Sequence, residues 1–90
     1  MKIVIDVTQE DINKGIKEDA SKCPIARALK RTIKGIKDIE ITGDTGSFML
    51  QDQQYQFKST KTMDRFIEKF DDEGRKAVKP FRNTVNAVAI

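Results

Sequence analysis

Cys23 is the one side chain in this sequence with strong intrinsic nucleophilicity. It stands between Lys22 and Pro24, at the start of a helix-like run, where the helix dipole and a neighbouring cation both favour a thiolate. An apolar stretch follows at once, and a small buried hydrophobe suits the same position. The chain contains no histidine. That removes the usual general base near neutral pH, the commonest zinc ligand and every triad built on imidazole. A single cysteine cannot form an intrachain disulfide or a thiolate cluster, and a lone free thiol points to a reducing compartment, the cytoplasm. No metal or cofactor is expected, and the chain reads as non-enzymatic.

Other clusters have plainer readings. Asp71, Asp72 and Glu73 are consecutive acids, but they project around a helix end and match no calcium-loop spacing. Tyr55, Phe48 and Phe57 would stack bases only from an exposed sheet face. No RNP-like motif surrounds them, and their alternation places them in a core. Gly43-Asp44-Thr45-Gly46 lacks the G-K-[ST] of a phosphate loop and leads into a strand-like segment, so it reads as a hairpin turn.

The cations are more informative. The formal net charge is only +3, but the charges are segregated along the chain. From Lys22 to Lys37 six cations (Lys22, Arg27, Lys30, Arg31, Lys34, Lys37) occur without one acid. Arg27, Arg31 and Lys34 fall at i, i+4 and i+7 with Lys30 beside them, opposite an apolar stripe of Ile25, Leu29 and Ile33. Exposed helices ordinarily mix signs to gain i,i+4 pairs, so an unneutralised stripe asks for an anionic partner. The solvated face of an amphipathic helix is the competing account. A second basic group, Arg75, Lys76, Lys79 and Arg82, surrounds Pro80, either as another arm for an anion or as a solvated loop.

The elements that must position these groups follow from periodicity. Lys2 to Val7 alternates with Ile3, Ile5 and Val7 on one face, as a strand. Thr8 caps a short helix with acids in its first turn, Ile12 and Ile16 on one face, ending near Lys17. Pro24 opens the second helix, whose stripe runs through Ile25, Leu29, Ile33 and Ile36, with Gly35 as its C′ residue. Asp38–Thr42, Ser47–Leu50 and Tyr55–Phe57 form a meander, with polar turns at 43–46 and 51–54. Ser59 or Thr60 caps a helix carrying Met63, Phe66, Ile67 and Phe70 at i, i+3, i+4 and i+7, which Gly74 ends. Val85 to Ile90 makes a last strand along a sheet edge.

Val7-Thr8-Gln9-Glu10-Asp11-Ile12, then Cys23-Pro24-Ile25-Ala26-Arg27-Ala28-Leu29, then Arg65-Phe66-Ile67-Glu68-Lys69-Phe70-Asp71 and Pro80-Phe81, form a pattern over most of the chain. It resembles a group of small uncharacterised proteins of tailed phages and their bacterial hosts. The resemblance implies an accessory phage gene acting inside a bacterium, and it carries no established activity.

At 90 residues, 38% hydrophobic and 34% charged, the chain is long enough for one domain with one modest core. The expected fold is α+β, a single domain over 1–90. It has a four- to five-stranded, mostly antiparallel sheet with helices on one face, in the order β-α-α-β-β-β-α-β. No apolar run approaches the roughly 18–20 residues that cross a bilayer. The expected function is a small binding protein that inhibits or sequesters a host factor, of anti-defence or host-takeover type. The alternatives are an anion binder for nucleic acid or a nucleotide signal, and a structural or assembly protein. A homodimer through the Val85–Ile90 tail is the expected self-association, because small sheets leave edges unpaired.

Overall fold

The computed structural model describes residues 1–90. Six strands and three helices follow in order: β1 (Lys2–Val7), α1 (Gln9–Lys14), α2 (Pro24–Thr32), β2 (Lys37–Ile41), β3 (Thr45–Leu50), β4 (Gln53–Lys58), α3 (Lys61–Glu73), β5 (Phe81–Asn86) and β6 (Val88–Ala89). A single 3-10 turn, Arg75–Ala77, joins α3 to β5. The expected α+β class and element order are those observed. The last strand does lie along a sheet edge, as β6, but it begins earlier than expected and is divided. β5 pairs antiparallel with β1, and β6 pairs antiparallel with β4. The expected single sheet is therefore two: a two-stranded ribbon, β1-β5, and a four-stranded sheet, β2-β3-β4-β6, tied together by one stretch of chain. Ala87, 1% exposed, lies at the switch, where its N–H donates to the Met1 carbonyl and its own carbonyl accepts from the Met1 ammonium, both at 2.8 Å.

One core serves both sheets. Ile3, Ile5, Val7 and Val85 from the ribbon join Ile39, Ile41, Phe48 and Phe57 from the sheet. They meet Ile25, Ala26, Ala28 and Leu29 of α2 and Met63, Phe66 and Phe70 of α3. The alternate residues, Lys2 and Val4 on β1 and Gln54, Gln56 and Lys58 on β4, are exposed. The helices thus cover one face, as period-2 alternation requires. Phe48 stacks on Tyr55 with ring centroids 5.4 Å apart inside this core, which places those rings there and not on an open platform.

α1 is shorter than its pattern suggests and stops at Lys14. Gly15 explains the stop: a Cβ there would stand 2.6 Å from the Pro24 ring and 2.8 Å from the Asp11 carbonyl, so only glycine lets α2 start this close. Ile16 falls past the end and is 48% exposed instead of sharing a face with Ile12. α2 ends at Thr32 with Ile33 as its C-cap, slightly before the end that Gly35 as C′ residue implies. The β-branched Thr32 returns its hydroxyl to the Ala28 carbonyl at 2.7 Å, Ile33 is extended, and Gly35 takes φ +84° in the turn to β2. α3 runs from its Thr60 cap to Gly74 at φ +90°, as its spacing predicts. The Thr60 hydroxyl also bonds the Asn83 side chain, fixing the start of α3 to β5.

The β3–β4 connection is tighter than a four-residue turn. Leu50 pairs with Gln53, leaving a two-residue loop in which Gln51 and Asp52 stand at φ +51° and +63°. Two left-handed residues in a two-residue hairpin match the primed turn that favours Asn-Gly. Asp52→Gly should therefore raise stability by about 0.5–1 kcal/mol, read as an increased urea midpoint at unchanged slope. An unchanged or lowered midpoint contradicts this account of the turn.

Candidate functional site

Asp11 is the only buried charged residue, 2% exposed. It sits at the third position of α1 and closes a reciprocal cap. Its own N–H donates to the Thr8 hydroxyl at 3.2 Å, and the Thr8 N–H donates to its Oδ2 at 3.0 Å. The same Oδ2 accepts from Arg31 Nη2 at 2.8 Å, while Arg27 Nε stands 3.8 Å from Oδ1. Arg31 Nη2 also donates to the Asp6 carbonyl at 2.7 Å. One carboxylate thus joins the end of β1, the start of α1 and the polar side of α2.

The expected acid-free stripe is therefore corrected. It is acid-free in sequence only, because its counter-charge comes from the preceding helix. Thr8 and Asp11 already have the spacing of a reciprocal cap, and an acid fixed at a helix start next to an unneutralised stripe was the available signal. A second correction concerns Lys34. With α2 ending at Thr32, Lys34 is off the helix and does not continue the Arg27–Arg31 row. Lys22 is also outside α2, in a turn built by Asp19, whose Oδ1 accepts from the Lys22 N–H at 3.0 Å.

Three predicted cations do converge. Arg27, Lys30 and Arg31 face Thr8, Gln9, Glu10 and Asp11 across an open groove of about 720 Å³ with no hydrophobic residue in its lining. Arg31, bonded to Asp11, keeps 49% of its side chain exposed, and Arg27, near Asp11 but without a hydrogen bond from its Nε, keeps 34%. The second basic group does not form one arm. Arg75 reaches the Asn13 carbonyl at 3.5 Å, and Lys76 is exposed on the 3-10 turn. Lys79 lines a separate shallow groove with Arg65 and Lys69 beside Phe66 and Phe81, and Arg82 stands across the ribbon from Asp6. Arg65 and Lys69 are not visible in the sequence as partners of Lys79, because only the fold brings α3 against residues 77–81. Val7 pairs with Phe81, so both grooves open at the same end of the ribbon.

The electrostatics support a fixed polar site. Burial, the largest single influence on the Asp11 carboxyl, pulls its pKa up, yet the Thr8 N–H and Arg31 outweigh it and hold it below its ordinary 3.8. Arg31 is raised by its bond to Asp11. The Asp19 carboxyl is lowered by bonds from the Ser21 backbone and hydroxyl. Burial raises the Cys23 thiol, which is 7% exposed, so it packs as a small hydrophobe. No group of three or more His, Cys, Asp or Glu side chains lies close enough to hold a metal ion. No helix is long and apolar enough to cross a membrane.

No family model, no curated protein and no solved structure matches the chain.

Two outcomes follow from the Asp11 geometry. Arg31→Met should cost about 1–2 kcal/mol, a charge-assisted bond discounted because Arg31 is half in water. A loss within about 0.3 kcal/mol of zero means the pair does not hold the helices together. The pH effect has a definite sign. A carboxyl lowered in the folded state stabilises fully above its unfolded value of 3.8, and that contribution disappears as pH falls through the folded value. The stability gap between wild type and Asp11→Asn should be widest near neutrality and close on acidification below 3.8, in urea melts taken across pH. Asp19 titrates alike in both chains and cancels. A gap that stays constant through strong acid, down to about pH 2, contradicts the assignment.

Proposed function

We propose that this chain is a small binding protein, of an accessory phage type, that holds an acidic segment of a host protein in the α1–α2 groove and so blocks or sequesters it. The observation that carries the reading is the convergence of Arg27, Lys30 and Arg31 on one groove, with the Arg31 guanidinium fixed by Asp11 and the Asp6 carbonyl while half exposed. A guanidinium held in place loses less rotamer freedom when it takes a carboxylate than a free one does. Arginines placed this way are frequent anchors of protein interfaces.

An acidic protein segment fits this groove better than a nucleotide or single-stranded nucleic acid. Every aromatic ring of the chain (Phe48, Tyr55, Phe57, Phe66, Phe70 and Phe81) belongs to the core or packs on it, and none lines the groove. A base would find nothing to stack on. Glu10, exposed and paired with Lys14 at 3.1 Å, adds a negative group at the rim. A continuous phosphate backbone would meet that charge, whereas a protein carrying both signs can match it. The proposed reading is of a binder acting in the bacterial cytoplasm.

The test substitutes a residue outside the Asp11 pair. Reversing Arg27 or Arg31 would put a carboxylate against the buried Asp11 and confuse binding with folding. Lys30 is exposed and forms no ion pair. Bacterial lysate is passed over immobilised wild type, Lys30→Glu and the remote control Lys61→Glu. A stoichiometric protein should be retained by wild type and Lys61→Glu, and held at least about tenfold more weakly by Lys30→Glu, with affinity falling as salt rises. Equal retention on all three, or retention of nucleic acid in place of protein, rejects the reading.

A further inference from the structure

β1 has an outer edge whose sequence complements itself and on which Arg31, at the Asp6 carbonyl, is the one bonded neighbour. Met1 and Ala87 exchange both backbone hydrogen bonds, so the odd residues Ile3, Ile5 and Val7 direct theirs at β5. The N–H and C=O groups of Lys2, Val4 and Asp6 point away from β5, to the outer edge. Arg31 confirms this direction, because it reaches the Asp6 carbonyl from that side. Most native edges carry a bulge, a proline or a covering loop. β2, at the far end of the four-stranded sheet, has such devices. Its pairing with β3 is irregular between Lys37 and Glu40, Asp38 stands at φ +54°, and the Ile41 N–H already donates to the Ala20 carbonyl at 2.8 Å. β1 pairs along its whole length without a bulge and contains no proline.

From this we infer that two copies of the chain pair antiparallel through their β1 edges, with Val4 facing Val4 on the two-fold axis. Charge favours that register, the one that sets opposite charges face to face twice. Centred on Val4, each Lys2 faces Asp6 of the second copy and the two valines meet between the ion pairs. Centred on Lys2 or on Asp6, the pairing would set like charges directly opposite, which is destabilising. An Asp6-centred register would also bring the two Arg31 side chains together. In the Val4 register each Val4 N–H donates to the other Val4 carbonyl, and each Asp6 N–H donates to the Lys2 carbonyl facing it. The Asp6 carbonyl keeps its Arg31 bond and has a second lone pair for the Lys2 N–H. Lys2, Val4 and Asp6 share the face away from the helices, where Val4 is 42% exposed, so the new cross-strand contacts form in front of solvent and not in the core. The contact is isologous and closes as a dimer. It is preferred to the Val85–Ile90 tail, where the edge strand β6 is only two residues long, Val88–Ala89. A six-residue edge is a small interface, so the dimer belongs to the weak class.

The test is a charge exchange between chains. Untagged wild type is followed by sedimentation equilibrium from about 10 µM to about 1 mM, a range suited to a small interface. Its mass should rise from one chain toward two. Lys2→Glu alone sets two carboxylates opposite each other across the axis, and Asp6→Lys alone sets two ammonium groups opposite. Each should weaken association at least about tenfold, and an equimolar mixture should restore it as a heterodimer. Val4→Lys, which keeps Lys2 and Asp6 themselves in place, should abolish it. Far-UV circular dichroism reports the fold of each variant, and if Asp6→Lys unfolds, Lys2→Glu and Val4→Lys decide the matter. A single-chain mass across the whole range overturns the proposal. So does association that survives Val4→Lys, or two folded single-charge variants whose mixture stays monomeric. The groove reading is separable, because Lys30→Glu should leave the mass unchanged.

Discussion

The carboxylate of Asp11 is the interaction on which the polar half of this molecule is built. Burying a charge costs several kcal/mol unless hydrogen bonds and an opposite charge replace the water it loses. Here the replacements come from three directions: the Thr8 N–H, the Arg31 guanidinium and the nearby Arg27. Each tie has a geometric consequence. The Thr8 bond starts α1 close behind the end of β1. The Arg31 bond orients α2 across α1, and the second Arg31 bond, to the Asp6 carbonyl, returns to β1. Gly15 and Pro24 set how close the two helices come. A six-residue helix has little stability of its own. The reciprocal cap, Ile12 in the core and the Asp11–Arg31 bond are what make α1 a fixed wall of the groove.

The apolar half depends on a different device, the passage of one stretch of chain between two sheets. A two-stranded ribbon is marginal in water when isolated. β1 and β5 persist because β5 continues through Ala87 into β6 on the four-stranded sheet, and because Ile3, Ile5 and Val7 share a core with Phe48 and Phe57. Gly46 permits part of this packing. It lies within β3 under the Phe57 ring, and a Cβ there would fall 2.1 Å from the ring. The glycine that sequence reading places in a turn is thus a strand residue that makes room for an aromatic side chain.

What was legible in the sequence is whatever local periodicity encodes. The strand at Lys2–Val7, the meander, the Phe-rich α3 with its Gly74 stop and the class of the fold all follow from apolar spacing. So does the convergence of Arg27, Lys30 and Arg31, since i, i+3 and i+4 residues of one helix share a face. The misplaced features depend on contacts remote in sequence. Asp11 neutralises Arg31 across 20 residues. The C-terminal strand is divided because its first part pairs with β1 and its second with β4. Lys34 is off the helix because α2 ends at Thr32 and Ile33 is already extended. Arg65 and Lys69 join Lys79 only after α3 folds back on residues 77–81.

These contacts bear on the proposed binding role of the basic surface. An acid-free row of cations on a free helix is held apart only by water and is weakened by its own repulsion. Once Asp11 is supplied, Arg27 and Arg31 have a structural reason to be cationic, and part of the apparent excess charge is accounted for by folding. Lys30 has no such reason, since it is exposed and forms no ion pair. The groove sets one fixed arginine, Arg31, beside the partly buried Arg27 and the unpaired Lys30, around a wall of Thr8, Gln9 and Glu10. The fixed arginine confers geometry and the lysine adds long-range attraction. That combination is what the proposed binding of a carboxylate on a folded partner calls for, where position matters more than total charge.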